Sequence, residues 1–348
     1  MNPYVLTIFL SSLGLGTTLT FASSHWLLAW MGLEINTLAI LPLMAQHHHP
    51  RSVEATTKYF LAQATAAATI LFASMTNAWI TGQWDITHMS NTTATIMITM
   101  ALAMKVGLAP MHFWMPAVLQ GLDLTTGLIM ATWQKLAPFA LLIQIAPITH
   151  PMLLTTLGIL STLIGGWGGL NQTQLRKMLA YSSIAHLGWM IIVIQFMPQL
   201  TILTLSIYII MTSAMFLTLK LLMTTKMNTL ALAWSKTPII TTTTTLTLLS
   251  LGGLPPLTGF MPKWLILQEL TKQGLPLTAT IMALSALLSL YFYLRLCYTM
   301  TLTIAPNTSN STTPWRLTNT QTTLPLAIIT TLALTLLPLT PAIQALMY

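Results

Sequence analysis

The sequence predicts an all-α, polytopic membrane protein, and three observations carry that reading. Only 5% of the 348 residues are charged, against about a quarter in a soluble domain. Hydrophobic residues make up 54% of the chain and its mean hydropathy is +0.74. The apolar residues also come in long continuous runs, each near the roughly 20 residues that a spanning helix needs. A soluble globule, a disordered chain and a coiled coil are excluded. A transmembrane barrel is excluded as well, because its strands alternate over about ten residues.

Eleven segments follow in order, at about 3–21, 25–45, 57–80, 94–118, 124–146, 150–170, 175–197, 200–222, 239–270, 277–298 and 324–345. The first run starts almost at Met1 and lacks a basic n-region, so it reads as a span and not as a cleavable signal. The polar stretches between segments are short: His47 to Arg51, Gly82 to Asn91, Asn171 to Lys177, Thr224 to Lys236 and Pro306 to Gln321. None can fold as a soluble domain, and residues 1–348 read as a single membrane domain. The threonine run Thr241 to Thr245 is compatible with a span, because a threonine hydroxyl can return to the helix backbone.

The formal charge of +8 comes from 13 Lys+Arg against 5 Asp+Glu. In this composition it points to loops on one side of a membrane and not to nucleic acid. Eleven spans put the termini on opposite sides. The N-terminal side then receives Arg51, Lys58, Arg176, Lys177, Lys226, Lys236, Arg295 and Arg316, and the other side only Lys272. That asymmetry places the N-terminus inside, in cytoplasm or mitochondrial matrix. Of the four remaining lysines, Lys220 is near enough to a helix end to snorkel. Lys105, Lys135 and Lys263 are not, and Glu34 is mid-span. Charges at that depth cost about 2.5–3.5 kcal/mol on insertion scales and mark ion pathways or buried pairs.

The fourth segment carries Met104-Lys-Val-Gly-Leu-Ala-Pro-Met-His-Phe-Trp-Met-Pro116, where Gly107 and Pro110 predict a break near 107–112. The ninth repeats the device in Leu251-Gly-Gly-Leu-Pro-Pro-Leu-Thr-Gly-Phe-Met-Pro-Lys-Trp264, with Gly253, Pro255 and Pro256. The two segments are five spans apart and so cross in opposite directions. Broken helices in corresponding positions of two oppositely oriented halves are the mark of an inverted-repeat transporter. The first repeat is taken as about 1–146 and the second as about 150–298. Glu34 and His186 then fall in corresponding helices. Read together, the wet centre holds Glu34, Lys135, Lys105, His112, His186 and Lys263, a proton relay in which a carboxylate holds a lysine protonated until the pair separates. A static buried pair at Glu34 and hydrogen-bonded core histidines at His112 and His186 stand as the structural alternatives.

Several other features have plainer readings. Glu54 and Lys58 are spaced as a surface pair on a helix. His47 to His49 read as a solvated loop, and the many Met and Trp residues as lipid-facing filler and interfacial anchors. Asn91-Thr-Thr93 and Asn307-Thr-Ser309 match a glycosylation sequon, which matters only in a secretory chain. The single Cys297 excludes a disulfide framework and a cysteine-ligated cluster. No intact G-x-G-x-x-G follows a strand, so no dinucleotide fold is present. No catalytic residue, metal site or cofactor site is assigned to this chain.

Glu34 within Met31-Gly-Leu-Glu-Ile-Asn36, the Lys105 to Pro116 segment, Leu175-Arg-Lys-Met-Leu-Ala-Tyr-Ser-Ser-Ile184 and Gly253 to Trp264 together resemble the antiporter-like membrane subunits of respiratory complex I. The resemblance covers essentially the whole chain. It implies two inverted five-helix repeats, each with a discontinuous helix, and a match of Glu34, Lys105, Lys135 and Lys263 to the family's central proton-channel residues. It also implies the mitochondrial inner membrane, neighbouring antiporter-like and other membrane subunits as partners alongside lipids, and NAD, FMN, iron–sulfur clusters and ubiquinone in other subunits. Longer bacterial relatives in this family begin with three further helices, and the chain here corresponds to a start at their fourth. A stand-alone cation/proton antiporter shares these motifs, and a structural membrane scaffold is a third possibility.

Overall fold

A computed structural model describes residues 2–46, 48–235, 237–302 and 323–347. The predicted loop at 306–321, with its sequon at Asn307 and Arg316, lies outside the described residues, as do His47, Lys236 and Tyr348.

The chain is a multi-pass helical membrane protein. Its helices in order are α1 (Pro3–Ala22), α2 (Trp26–Met44), α3 (Pro50–Thr81), α4 (Thr92–Val106), α5 (Trp114–Gly121), α6 (Leu124–Ala131), α7 (Trp133–Ile145) and α8 (Pro151–Gly169). They continue with α9 (Leu175–Val193), α10 (Pro198–Leu222), the short α11 (Met227–Leu232), α12 (Pro238–Gly252), α13 (Phe260–Lys272), α14 (Pro276–Thr301), α15 (Leu324–Thr335) and α16 (Thr340–Met347). Among the described residues, seven spans are long and apolar enough to cross a membrane, or eight if the C-terminal pair, bent by 64°, counts as one.

Local chemistry explains where several of these helices start and how they tolerate polar residues. Asn2 and Asn91 cap α1 and α4 by accepting the amides of Tyr4 at 3.2 Å and Thr93 at 3.1 Å. Helix α3 begins at Pro50, earlier than the predicted 57. Pro50 suits the first helical turn, and His49 Nδ1 accepts the Arg51 amide at 3.2 Å. Within α3, Lys58 pairs with Glu54 at 2.5 Å on an exposed face. In α12, Thr241, Thr242, Thr243, Thr244 and Thr245 each donate to the carbonyl three residues back, at 2.7–2.8 Å, so the threonine run exposes no free hydroxyl donor.

The predicted span at 124–146 has a joint that the sequence reading did not foresee. It consists of α6 and α7, which meet at Thr132, whose hydroxyl donates to the Leu128 carbonyl at 2.8 Å. Such back-bonding bends helices. Pro138 inside α7 removes one more backbone bond.

The chain divides into two compact units, Met1–Ser161 and Thr162–Tyr348, with the division inside α8. In the first, α1 and α2 pack together, α3 rests on α2, α4 and α5, and α7 on α1 and α4. In the second, α10 lies against α9, α12, α13 and α15, while α14 packs on α12 and α13.

Candidate functional site

In each unit a helix stops at a left-handed glycine beside a buried or half-buried lysine. In the first unit α4 stops at Val106, and Gly107 takes a left-handed conformation, φ 88°. The amides of Gly107 and Leu108 both fold back to the Ala103 carbonyl at 2.9 Å, the bonding pattern of a glycine-terminated helix end. The glycine therefore ends the helix, and Pro110 sits beyond it in the non-helical stretch before Trp114, not inside the helix as a kink. Two of the carbonyls left over at a helix end are taken by side chains: Trp114 Nε1 donates to Met104 at 3.0 Å, and Gln63 Nε2 from α3 donates to Lys105 at 3.4 Å.

This end of α4 faces a small cavity of about 10 Å³, room for one water-sized molecule. Lys105, Lys135, Gln63, Gln134, Asn36 and Tyr59 supply its polar lining. Lys105 is 5% exposed and Lys135 2%. Lys105 Nζ has no hydrogen-bond partner among the described residues, and neither has Glu34 Oε2. Glu34, on α2, forms no contact pair with Lys105, yet its charge reaches both Lys105 and the buried Tyr59. The buried lysine and the half-buried carboxyl group are thus near each other without a direct bond. His112 is buried in the break, its ring tilted against Phe113 at 4.4 Å between ring centres, but it does not line this cavity.

In the second unit α12 stops at Gly252, and Gly253 is left-handed with φ 82°. The Leu254 amide returns to the Leu249 carbonyl at 3.4 Å. Pro255 and Pro256 again follow the helix end instead of breaking the helix from within. Here the charge itself closes the helix: Lys263, in the first turn of α13, donates from Nζ to the Gly252 carbonyl at 2.8 Å. Around it is a cavity of about 20 Å³ lined by His186, Thr204, Tyr208, Gly259 and Lys263 with apolar neighbours. The rings of His186 and Tyr208 lie 5.8 Å apart.

Of the six predicted titratable residues, Lys105 and Lys135 share one cavity with Glu34 close by, and Lys263 and His186 share the other. His112 lines neither cavity. Sequence reading missed Gln63, Gln134, Tyr59, Tyr208 and Trp114. Gln63 and Gln134 carried a usable signal, since an amide within an apolar helix has to find a partner inside the protein. The tyrosines and the tryptophan carried none, because aromatic residues are common throughout membrane helices.

The two units thus repeat one arrangement in a multi-pass membrane protein, a glycine-ended helix beside a small cavity lined by a lysine. The chain belongs to the NADH:quinone oxidoreductase/Mrp antiporter transmembrane family, whose model matches residues 23–289. A model of the NADH dehydrogenase subunit 2 C-terminus matches residues 290–344. The chain is 76% identical to NADH-ubiquinone oxidoreductase chain 2 of Carassius auratus over 99% of both chains, and 75% identical to that of Formosania lacustris over 100% of both. Among solved structures it is similar to a chain of respiratory complex I from Thermus thermophilus with bound Aureothin, at 27% identity and TM-score 0.83, covering 97% of this chain and 80% of that one. It shares its fold with a chain of an archaeal membrane-bound sulfane sulfur reductase at 17% identity and TM-score 0.83, covering 97% and 73%.

Proposed function

We propose that this chain is a core membrane subunit of the respiratory NADH:ubiquinone oxidoreductase, carrying a proton path driven by electron transfer in other subunits. The observation that carries the reading is the unbonded Glu34–Lys105 pair beside a cavity shared with Lys135. A nearby carboxylate stabilises the ammonium form of a buried lysine. Withdrawing it leaves desolvation, which disfavours that form. A shift of α2 relative to α4 would then drive a proton from Lys105 to Lys135 within the same cavity. In the second unit Lys263 and His186 form the corresponding proton-bearing site.

The fold reading that goes with this is eleven spans in two inverted five-helix repeats, about 1–146 and 150–298, with a C-terminal helix at about 324–345. The candidate spans supply most of the eleven. The remainder are α9, whose first turn carries Arg176 and Lys177, and the two interrupted pairs α4–α5 and α12–α13. The first repeat holds a glycine-ended helix beside a small cavity lined by a lysine, and so does the second, which supports the layout. The N-terminus and the loops with Arg51, Arg176 and Lys226 face the mitochondrial matrix, and the end of α16 faces the intermembrane space. Protease or label access to the Arg176 loop from the intermembrane side would defeat that orientation.

The partners are other membrane subunits of the same enzyme, whose NAD, FMN, iron–sulfur clusters and ubiquinone lie outside this chain. A stand-alone cation/proton antiporter is the competing assignment, favoured by the family shared with Mrp subunits. Native gel separation decides between them: the chain should migrate with flavin and iron–sulfur subunits and with NADH oxidation activity. Migration as a flavin-free complex would favour the antiporter.

A further inference from the structure

The short stretch between Gly253 and α13 is fastened at both of its faces. On one face, Gly259 approaches α12 so closely that an added Cβ would overlap the Ser250 carbonyl. On the other, the Thr258 hydroxyl donates to the Ala333 carbonyl of α15. Ala333 lies in the last turn of α15, where carbonyls lose their intrahelical partners. Both residues are buried, and the surroundings are apolar: Ile207, Met211, Leu332 and Leu336 line the same spot. A hydroxyl and a helix-end carbonyl in such a place leave each other unsatisfied if either is removed.

We infer that Thr258 is a positioning residue for Lys263: by tying the break to the C-terminal helix it sets the start of α13, and so holds Lys263 on the Gly252 carbonyl beside His186. Thr258 and Gly259 immediately precede Phe260, where α13 begins, and Lys263 is in its first turn. The helix that supplies the anchor belongs to residues 290–344, matched by a separate C-terminal model and not by the antiporter model that ends at 289. The C-terminal helix therefore acts as a strut on the second proton site. The inference rests on the reading of Lys263 as a proton-bearing residue.

The test uses the assembled enzyme in proteoliposomes carrying Thr258→Val, which keeps the shape and removes the hydroxyl, and Thr258→Ser, which restores it. Two quantities are measured: backbone hydrogen exchange over residues 253–262, and protons translocated per NADH oxidised. Thr258→Val should exchange about tenfold faster across that stretch and translocate fewer protons per NADH, with Thr258→Ser close to the parent on both. Unchanged exchange in Thr258→Val overturns the tie. Faster exchange with an unchanged proton yield leaves a packing contact and overturns the positioning role. Lys263→Met in parallel isolates the underlying reading: if it translocates normally, the proton role of Lys263 fails, and the exchange result still reports on the tie. Should Thr258→Val fail to assemble, Thr258→Ala removes the same hydroxyl without adding bulk and is judged by the same two results.

Discussion

In the break after α4 the lysine comes before the left-handed glycine, and its Nζ has no hydrogen-bond partner among the described residues. In the break after α12 the lysine comes ten residues after the glycine and donates to the last carbonyl of the helix. The backbone device is nearly the same, with φ 88° at Gly107 and 82° at Gly253. What differs is which group satisfies the helix end. In the first unit Trp114 and Gln63 take the carbonyls of Met104 and Lys105, and Lys105 Nζ stays unbonded among the described residues. In the second, Lys263 is itself the cap. A helix C-terminus carries partial negative charge and favours a cation there. A helix end can thus leave a neighbouring lysine unbonded or hold it, according to whether neutral donors satisfy its carbonyls.

The sharpest way to break this contrast is at Lys105. Lys105→Arg keeps the charge but hardly releases a proton, so the rate of proton transfer through this chain should fall about as far as in Lys105→Ala, by about 100-fold or more, with protons translocated per NADH lowered in both and assembly better preserved in the arginine variant. Normal pumping per electron pair by Lys105→Arg, measured with NADH oxidation in parallel, would mean that Lys105 does not titrate in turnover, and the static-pair account would replace the switch.

Glu34→Gln probes the other half of the pair. Removing the charge that holds the lysine protonated should cut coupled turnover by about tenfold, equivalent to roughly 1.4 kcal/mol of lost coupling. A variant with parental proton yield would show that Glu34 and Lys105 do not work together.

A milder pair of substitutions compares the glycines. Alanine at either position meets the same positive-φ strain, about 1–2 kcal/mol. The neighbours differ. A Cβ at Gly107 would meet the flexible Met115 Sδ at 2.9 Å, whereas at Gly253 it would meet Lys263 Nζ at the same distance. Thermal unfolding of the assembled complex should therefore shift similarly for both, while Gly253→Ala alone disturbs proton yield through Lys263. Equal losses of yield would remove the distinction drawn between the two ends.

The smallest effect is expected at Trp114→Phe, which keeps the ring and removes the donor to Met104. About 1 kcal/mol of local stability should be lost, read as faster hydrogen exchange over 103–108 with little change in turnover. Parental exchange there would show that water or another group satisfies the carbonyl equally well.

By itself, the sequence determined the multi-pass helical membrane class, the two interrupted segments and the charged residues Glu34, Lys105, Lys135 and Lys263 within apolar helices. These follow from burial in lipid, where each charge or glycine–proline pair within an apolar run stands out against its neighbours. It did not determine which residue ends each helix. The prolines drew attention, yet the ends are made by Gly107 and Gly253, because one left-handed residue returns two amides to a single turn and stops the helix before the prolines begin. Nor could it tell a lysine facing a carboxylate from one bonded to a carbonyl, since both read as a buried charge beside a break. Tertiary packing decided that, by bringing Trp114 and Gln63 to the end of α4, Lys263 to the end of α12, and Thr258 to the orphaned carbonyl of Ala333. Such pairings join residues up to 75 positions apart in the chain. Their chemistry is local but their proximity is set by how the helices pack, which no local pattern of residues encodes.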